Sequence, residues 1–124
     1  MKIFISEHSN AAIYEQIEQQ IKDAILRQEL KAEEALPSIR GLAKDLQISV
    51  ITTKRAYEEL ERDGFIVTVA GKGCYVAHRN PDLLREEHLR RIEAHLSAAV
   101  EEARTAHISP EELHQMLELM VHEE

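Results

Sequence analysis

Between residues 11 and 26 the apolar side chains Ile13, Ile17, Ile21, Ala24 and Ile25 recur at helical spacing, with Glu, Gln and Lys between them. Such spacing marks one face of an α-helix, and Ser9 or Asn10 is placed to cap it. Residues 27–36 lose the pattern and keep Leu30 and Leu36 as apolar anchors, until Pro37 ends the stretch. Two helices are then predicted in quick succession. Ser38 caps the first, over 39–46, which turns Ile39, Leu42, Ala43 and Leu46 inward. Gln47, Ile48 and Ser49 form a turn, and Ser49 caps the second helix, running from 50 to about 63. Thr53, Ala56, Tyr57 and Leu60 share its inner face, and Gly64 supplies the left-handed residue that stops it. Helix, short turn, helix is the helix-turn-helix pattern.

The period then changes. Residues 65–69 (FIVTV) are β-branched and aromatic, 70–73 (AGKG) have turn chemistry, and 74–77 (CYVA) return as a second strand. A lone hairpin is marginal in water, so it must lean on the helices before it. Residues 3–5 (IFI) read as a short strand or an extended arm. Three helices and a hairpin over 10–78 predict a winged helix-turn-helix. Asn80 and Pro81 open a further helix, in which Leu89, Ile92, Leu96, Ala99 and Ala103 alternate at three and four, flanked by Leu84 and Val100. Ser109 and Glu112 have the spacing of a capping box, and Leu113, Met116, Leu117, Met120 and Val121 form a stripe behind it. Two amphipathic helices of about 40 residues cannot bury both stripes within one chain. The fold expected is mainly α with a small β-hairpin, in which residues 79–124 are a two-helix dimerisation arm. Leu89, Ile92, Leu96, Ala99 and Val100 would meet a second copy through the first helix, and Leu113, Met116, Leu117 and Met120 through the second.

Composition narrows the setting. The 124 residues are 44% hydrophobic and 31% charged, an ordinary globular mixture. No apolar run approaches the roughly 20 residues of a membrane span. The start is too short and too soon interrupted by Glu7 and His8 for a signal peptide, and the single Cys74 forms no internal disulfide. A soluble, cytoplasmic protein without a membrane partner is expected. The net charge of −8 has the wrong sign for binding phosphates. Its distribution is uneven: residues 1–36 hold four bases and seven acids (−3), 37–79 seven and five (+2), and 80–124 four and eleven (−7). Only the helix-turn-helix and hairpin are net positive, which would turn one face toward a polyanion. The bland alternative is a solvated acidic tail without a steering role.

Residues 12–17 (AIYEQI), 24–26 (AIL), 36–43 (LPSIRGLA), 52–64 (TTKRAYEELERDG) and 71–76 (GKGCYV) occur in this order. Together they resemble the N-terminal domain of GntR-type bacterial transcription regulators, over roughly residues 11–78. The Arg55-Ala56-Tyr57 triplet and the short tail resemble the YtrA subfamily. The resemblance implies a DNA-binding winged helix, a DNA contact for Arg40, and control of a neighbouring transporter operon. It names no ligand. The chain departs at the head of the second helix, where relatives carry Arg or Asn-Pro-Asn and it carries Ser49, Val50 and Ile51. Apolar groups there suit thymine methyls and cannot make the bidentate hydrogen bonds that identify guanine.

In a helix-turn-helix the second helix enters the major groove with its N-terminal residues at the base edges. By position these are Ser49, Val50, Ile51, Thr52, Lys54 and Arg55. The alternative for Lys54 and Arg55 is surface pairing with Glu58 and Glu59. Arg40 lies beside Ser38 in the first turn of the preceding helix, where free N–H groups also attract phosphate. In the hairpin tip, Lys72 would neutralise phosphate while Gly71 and Gly73 let the backbone approach a groove. No Ser or Thr follows Lys72, so the tip is not a P-loop. His88 and His95, like His107 and His114, stand seven apart, two turns or about 10 Å, too far to share one ion within a chain. No metal is expected, because no clustered Cys or carboxylate spacing singles out a site, and no cofactor or catalytic residue, because nucleophile elbow, zincin motif, dinucleotide fingerprint and Cys pair are all missing. The expectation is a homodimeric repressor binding double-stranded DNA at a pseudo-palindromic operator. A winged helix that docks proteins without binding DNA is the alternative. An unidentified small-molecule effector between the C-terminal helices would add sensing.

Overall fold

The computed structural model describes residues 1–78 and 80–123. Residues 79 and 124, the two ends of the expected arm, lie outside the described residues. The elements in chain order are α1 (Ile13–Leu26), α2 (Ile39–Leu46), α3 (Val50–Arg62), β1 (Ile66–Val69), β2 (Gly73–Val76), α4 (Pro81–Thr105) and α5 (Pro110–Val121). They divide into two compact units, Met1–Asn80 and Pro81–Glu124. The class is the expected one, mainly helical with one small antiparallel hairpin.

The first unit is built on α1, α2 and α3. Ile17, Ile21 and Ala24 of α1 are buried with Leu42 and Ala43 of α2 and Ala56, Tyr57 and Leu60 of α3, and the hairpin adds Phe65, Ile66 and Val76. Neither Ser9 nor Asn10 caps α1. Its cap is Ala12, whose N–H donates to the Glu15 carboxylate at 3.3 Å, while the Ser9 hydroxyl is spent two residues on, accepting the Ala11 N–H at 3.0 Å. Ile13 precedes the core and stays exposed.

The two helix-turn-helix caps form as expected. The Ser38 hydroxyl accepts the Gly41 N–H at 3.0 Å and the Ser49 hydroxyl accepts the Thr52 N–H at 3.0 Å. A Cβ at position 41 would stand 2.9 Å from the Ser38 oxygen, so glycine there keeps the cap in place. Between the helices Gln47 takes the left-handed conformation (φ 57°), letting the Ile48 N–H reach back to the Ala43 carbonyl at 3.0 Å. Inside the fold, the Tyr57 hydroxyl donates to the Pro37 carbonyl at 2.8 Å, tying the interior of α3 to the residue before the α2 cap. Burial pushes the Tyr57 hydroxyl well above its ordinary pKa, so it remains a donor. Tyr57→Phe should leave that carbonyl unpaired and cost about 1–2 kcal/mol in urea unfolding, with an unchanged midpoint counting against the tie.

β1 and β2 pair from Ile66 with Val76 to Val69 with Gly73. The hairpin is supported on its other edge by residues 33–36, part of the stretch in which the helical pattern is lost. The Leu36 N–H donates to the Cys74 carbonyl, and the Val76 N–H to the Glu34 carbonyl, both at 2.9 Å. This segment has no alternating β-branched pattern, so its pairing comes from the closing of the fold around Leu30 and Leu36, both buried.

The second unit is the helix pair α4 and α5. After α4 the chain turns at His107 (φ 59°), and the Ile108 N–H donates to the Ala103 carbonyl at 2.8 Å. Ser109 then caps α5 by accepting the Glu112 N–H at 3.2 Å. Leu89, Ile92, Leu96 and Val100 on α4 remain exposed, as do Met116, Leu117, Leu119, Met120 and Val121 on α5. Ala99 is exposed and Leu113 is half-buried.

Candidate nucleic-acid interface

α2 and α3 each present a capped N-terminus and a cation close behind it. Arg40 occupies the first turn of α2 and is exposed. On α3 the Ser49 hydroxyl accepts the Thr52 N–H and donates to Thr52 Oγ1 at 2.7 Å, which leaves it one lone pair. Thr52, half-buried, keeps its own O–H proton for an outside acceptor. Beside it Val50 is 45% and Ile51 81% exposed, apolar groups standing in water where a packed helix would carry polar ones. Their neighbour Thr53 is fully buried, its hydroxyl donating to the Ser49 carbonyl at 3.1 Å.

Lys54 and Arg55 follow on the exposed side. Among the described residues no ion pair joins either to Glu58 or Glu59, so the bland pairing does not form. Glu59 instead takes Arg62 at 2.6 Å. The Arg55 guanidinium lies over the Tyr14 ring of α1, its carbon 3.9 Å from the ring centroid. Tyr14 was not among the expected site residues. In the sequence it stood only within the 12–17 block of the family resemblance, as an aromatic ring off the buried stripe of α1.

The hairpin tip is the three-residue loop Ala70, Gly71 and Lys72, closed by the Lys72 N–H donating to the Val69 carbonyl at 2.9 Å. Gly71 (φ 78°) and Gly73 (φ 117°) hold left-handed angles, and a Cβ at either would meet open space. Backbone conformation, not crowding, is what glycine supplies in the free chain. Lys72 and Gly73 are exposed, as are Ser38 and Ser49. Of the ten expected DNA-contacting residues only Thr52 is half-buried, and the remaining nine are exposed. Of the six cations described between 37 and 78, only Arg62 pairs with a carboxylate. In α4, by contrast, Arg90 and Arg91 both reach the buried Glu87, at 3.6 and 3.5 Å, and Arg104 reaches Glu101 at 3.2 Å. Among the described residues no helix is long and apolar enough to cross a membrane.

The family described as "Bacterial regulatory proteins, gntR family" matches residues 13–76, from the start of α1 to the end of β2. The chain is 36% identical over 115 residues to the HTH-type transcriptional repressor YtrA of Bacillus subtilis (strain 168), covering 93% of this chain and 88% of that one. A crystal structure of a transcriptional regulator from Oenococcus oeni aligns with a TM-score of 0.76 at 26% identity, over 94% of this chain and 97% of that one. YtrA from Sulfolobus acidocaldarius, a GntR-family transcription factor, aligns with a TM-score of 0.57 at 31% identity, over 96% of each. These three matches run well past the wing, into the helical tail. With its winged helix matched from α1 to β2 and a tail of similar length to that of the YtrA proteins, the chain belongs to the GntR family of bacterial regulatory proteins.

Proposed function

We propose that the protein is a homodimeric repressor that recognises a pseudo-palindromic operator through residues 10–78 and pairs through residues 79–124. One observation carries the reading. In a chain of net charge −8, Arg40, Lys54, Arg55 and Lys72 stand exposed with no carboxylate in ion-pair range among the described residues. Cations left unneutralised beside helix N-termini suit phosphate, which also receives the free N–H groups there. On this reading α3 lies in the major groove with Ser49, Val50, Ile51 and Thr52 at base edges. Val50 and Ile51 meet thymine methyls, while Arg40 and Arg55 bind base edges or phosphate. Ser38 caps the helix that carries Arg40, Lys54 and Lys72 meet the backbone, and Gly73 shapes the wing tip toward the minor groove.

Pairing through α4 and α5 would set two recognition helices about 34 Å apart, one turn of duplex. The repressor sign follows the Bacillus subtilis relative, itself named a repressor. The likeness to the YtrA subfamily extends the proposal to a transporter-type operon in the cytoplasm, with an unidentified small molecule at the arm as its effector. The family and these relatives are transcription regulators, not enzymes.

Electrophoretic shift of the upstream region of the protein's own operon, at two salt concentrations, tests the reading. Binding should weaken steeply with salt. Arg40→Ala and Arg55→Ala should each cost about 1–3 kcal/mol where the side chain contacts a base. No shift, or a shift indifferent to salt, would point to a protein-docking winged helix instead.

A further inference from the structure

We infer that Tyr14 is a positioning residue for DNA recognition: its ring holds the Arg55 guanidinium in place and keeps it from the neighbouring carboxylates. The inference rests on the DNA-binding reading above and extends it to a residue of α1. The guanidinium carbon stands 3.9 Å from the ring centroid, well inside the roughly 6 Å reach of a cation–π contact. A guanidinium held over a ring on one side still has N–H donors to offer a bidentate acceptor such as phosphate or guanine. Without the ring, Arg55 has acidic residues three and four positions on, Glu58 and Glu59, both within reach on a helix. Neither holds it. Glu59 is taken by Arg62, and the Arg55 charge is left unspent.

The platform is itself held in place. Lys22 of α1 bonds Asp63, the residue closing α3, at 3.0 Å. Tyr14 and Lys22 are eight residues apart on α1, and Arg55 and Asp63 are eight apart along α3. Two cross-helix pins at equal spacing, about 12 Å along each axis, lock the helices in register. Ile17 and Ile21 are fully buried between the two positions on α1. A long, rotamer-rich side chain ordered before it meets DNA avoids an ordering cost worth about 3- to 10-fold in affinity.

The test uses full-length protein and a duplex selected by the wild type from a random pool. Dissociation constants are measured for that duplex with wild type, Tyr14→Phe, Tyr14→Leu, Arg55→Ala and the Tyr14→Leu/Arg55→Ala double variant, and urea midpoints are taken in parallel. Tyr14→Phe keeps the ring and should bind like wild type. Tyr14→Leu should bind about 3- to 10-fold more weakly, yet add nothing once Arg55 is already alanine. Should Tyr14→Leu unfold, Tyr14→Met replaces it in the same cycle. The inference is overturned by wild-type affinity in the leucine variant, by an equal loss with and without Arg55, or by Tyr14→Phe failing as badly as Tyr14→Leu. In all three cases DNA binding by the wild type still stands. Failure of the wild type to select any duplex removes the DNA reading itself, and this inference with it.

Discussion

Leu96→Glu combined with Leu117→Glu should yield a monomer with a folded winged helix that no longer holds an operator at physiological salt. Both leucines are nearly half exposed in the single chain, at 47% and 45%, amid an apolar surface that includes Ile92, Val100, Met116 and Met120. Exposed apolar side chains recurring along both helices of a small protein point to an interface. A carboxylate placed there would be desolvated without a partner on pairing, which a dimer of modest area does not tolerate. The core of the winged helix lies within its own unit, from Ile17 to Val76, and neither substitution touches it. Two linked heads gain effective concentration on paired half-sites, so losing the link should weaken operator binding by about 10²- to 10⁴-fold. Light scattering behind size exclusion reads the mass, and electrophoretic shift reads the affinity. A double variant that stays dimeric would remove α4 and α5 as the pairing surface. A monomer with wild-type operator affinity would remove the need for two heads.

Lys22→Met should markedly destabilise the head, through charge more than through volume. Lys22 is 4% exposed and spans Glu18 at 3.3 Å and Asp63 at 3.0 Å, with its ammonium 5.2 Å from the Phe65 ring. Methionine fills the stem volume and leaves two carboxylates without their cation. Breaking a buried pair costs about 3–5 kcal/mol, and the partial exposure of Asp63 brings the expectation to about 2–3 kcal/mol. The loss should also depend on pH. Burial already raises the Glu18 pKa above its ordinary 4.5, outweighing the lowering by Lys22. A carboxyl whose folded pKa is raised contributes stability below its unfolded pKa and loses it as pH climbs through the folded one. With Lys22 gone the lowering influence goes too, so the deficit of the variant should widen from pH 4 toward pH 7. Urea midpoints at the two pH values measure it. A constant deficit would show that packing of the lysine stem, not its charge, is what the head needs.

Much of this architecture can be read residue by residue along the chain. The caps at Ser38, Ser49 and Ser109 are hydroxyls reaching a backbone N–H three residues on, and the inner faces of α2 and α3 follow the helical period. The glycines at 64, 71 and 73 mark left-handed positions for the same local reason. The Ser9 and Asn10 cap failed because several polar residues compete at that turn, and Glu15 won the Ala12 N–H. What the chain order conceals is pairing at long range. The strand-like stretch at 33–36 finds β2 some 40 residues later, Lys22 finds Asp63 across 41, and Tyr14 finds Arg55 across the same separation. Sequence by itself determined which segments are helix or hairpin, the caps at Ser38, Ser49 and Ser109, and which side chains are apolar, because those depend on neighbours within one or two turns. Only the tertiary structure decided that the hairpin has a third edge, that Arg55 rests on an aromatic ring instead of a carboxylate, and that the buried lysine closes α1 against α3. Those contacts exist only after the core has drawn distant segments together, and no spacing along the chain encodes that event.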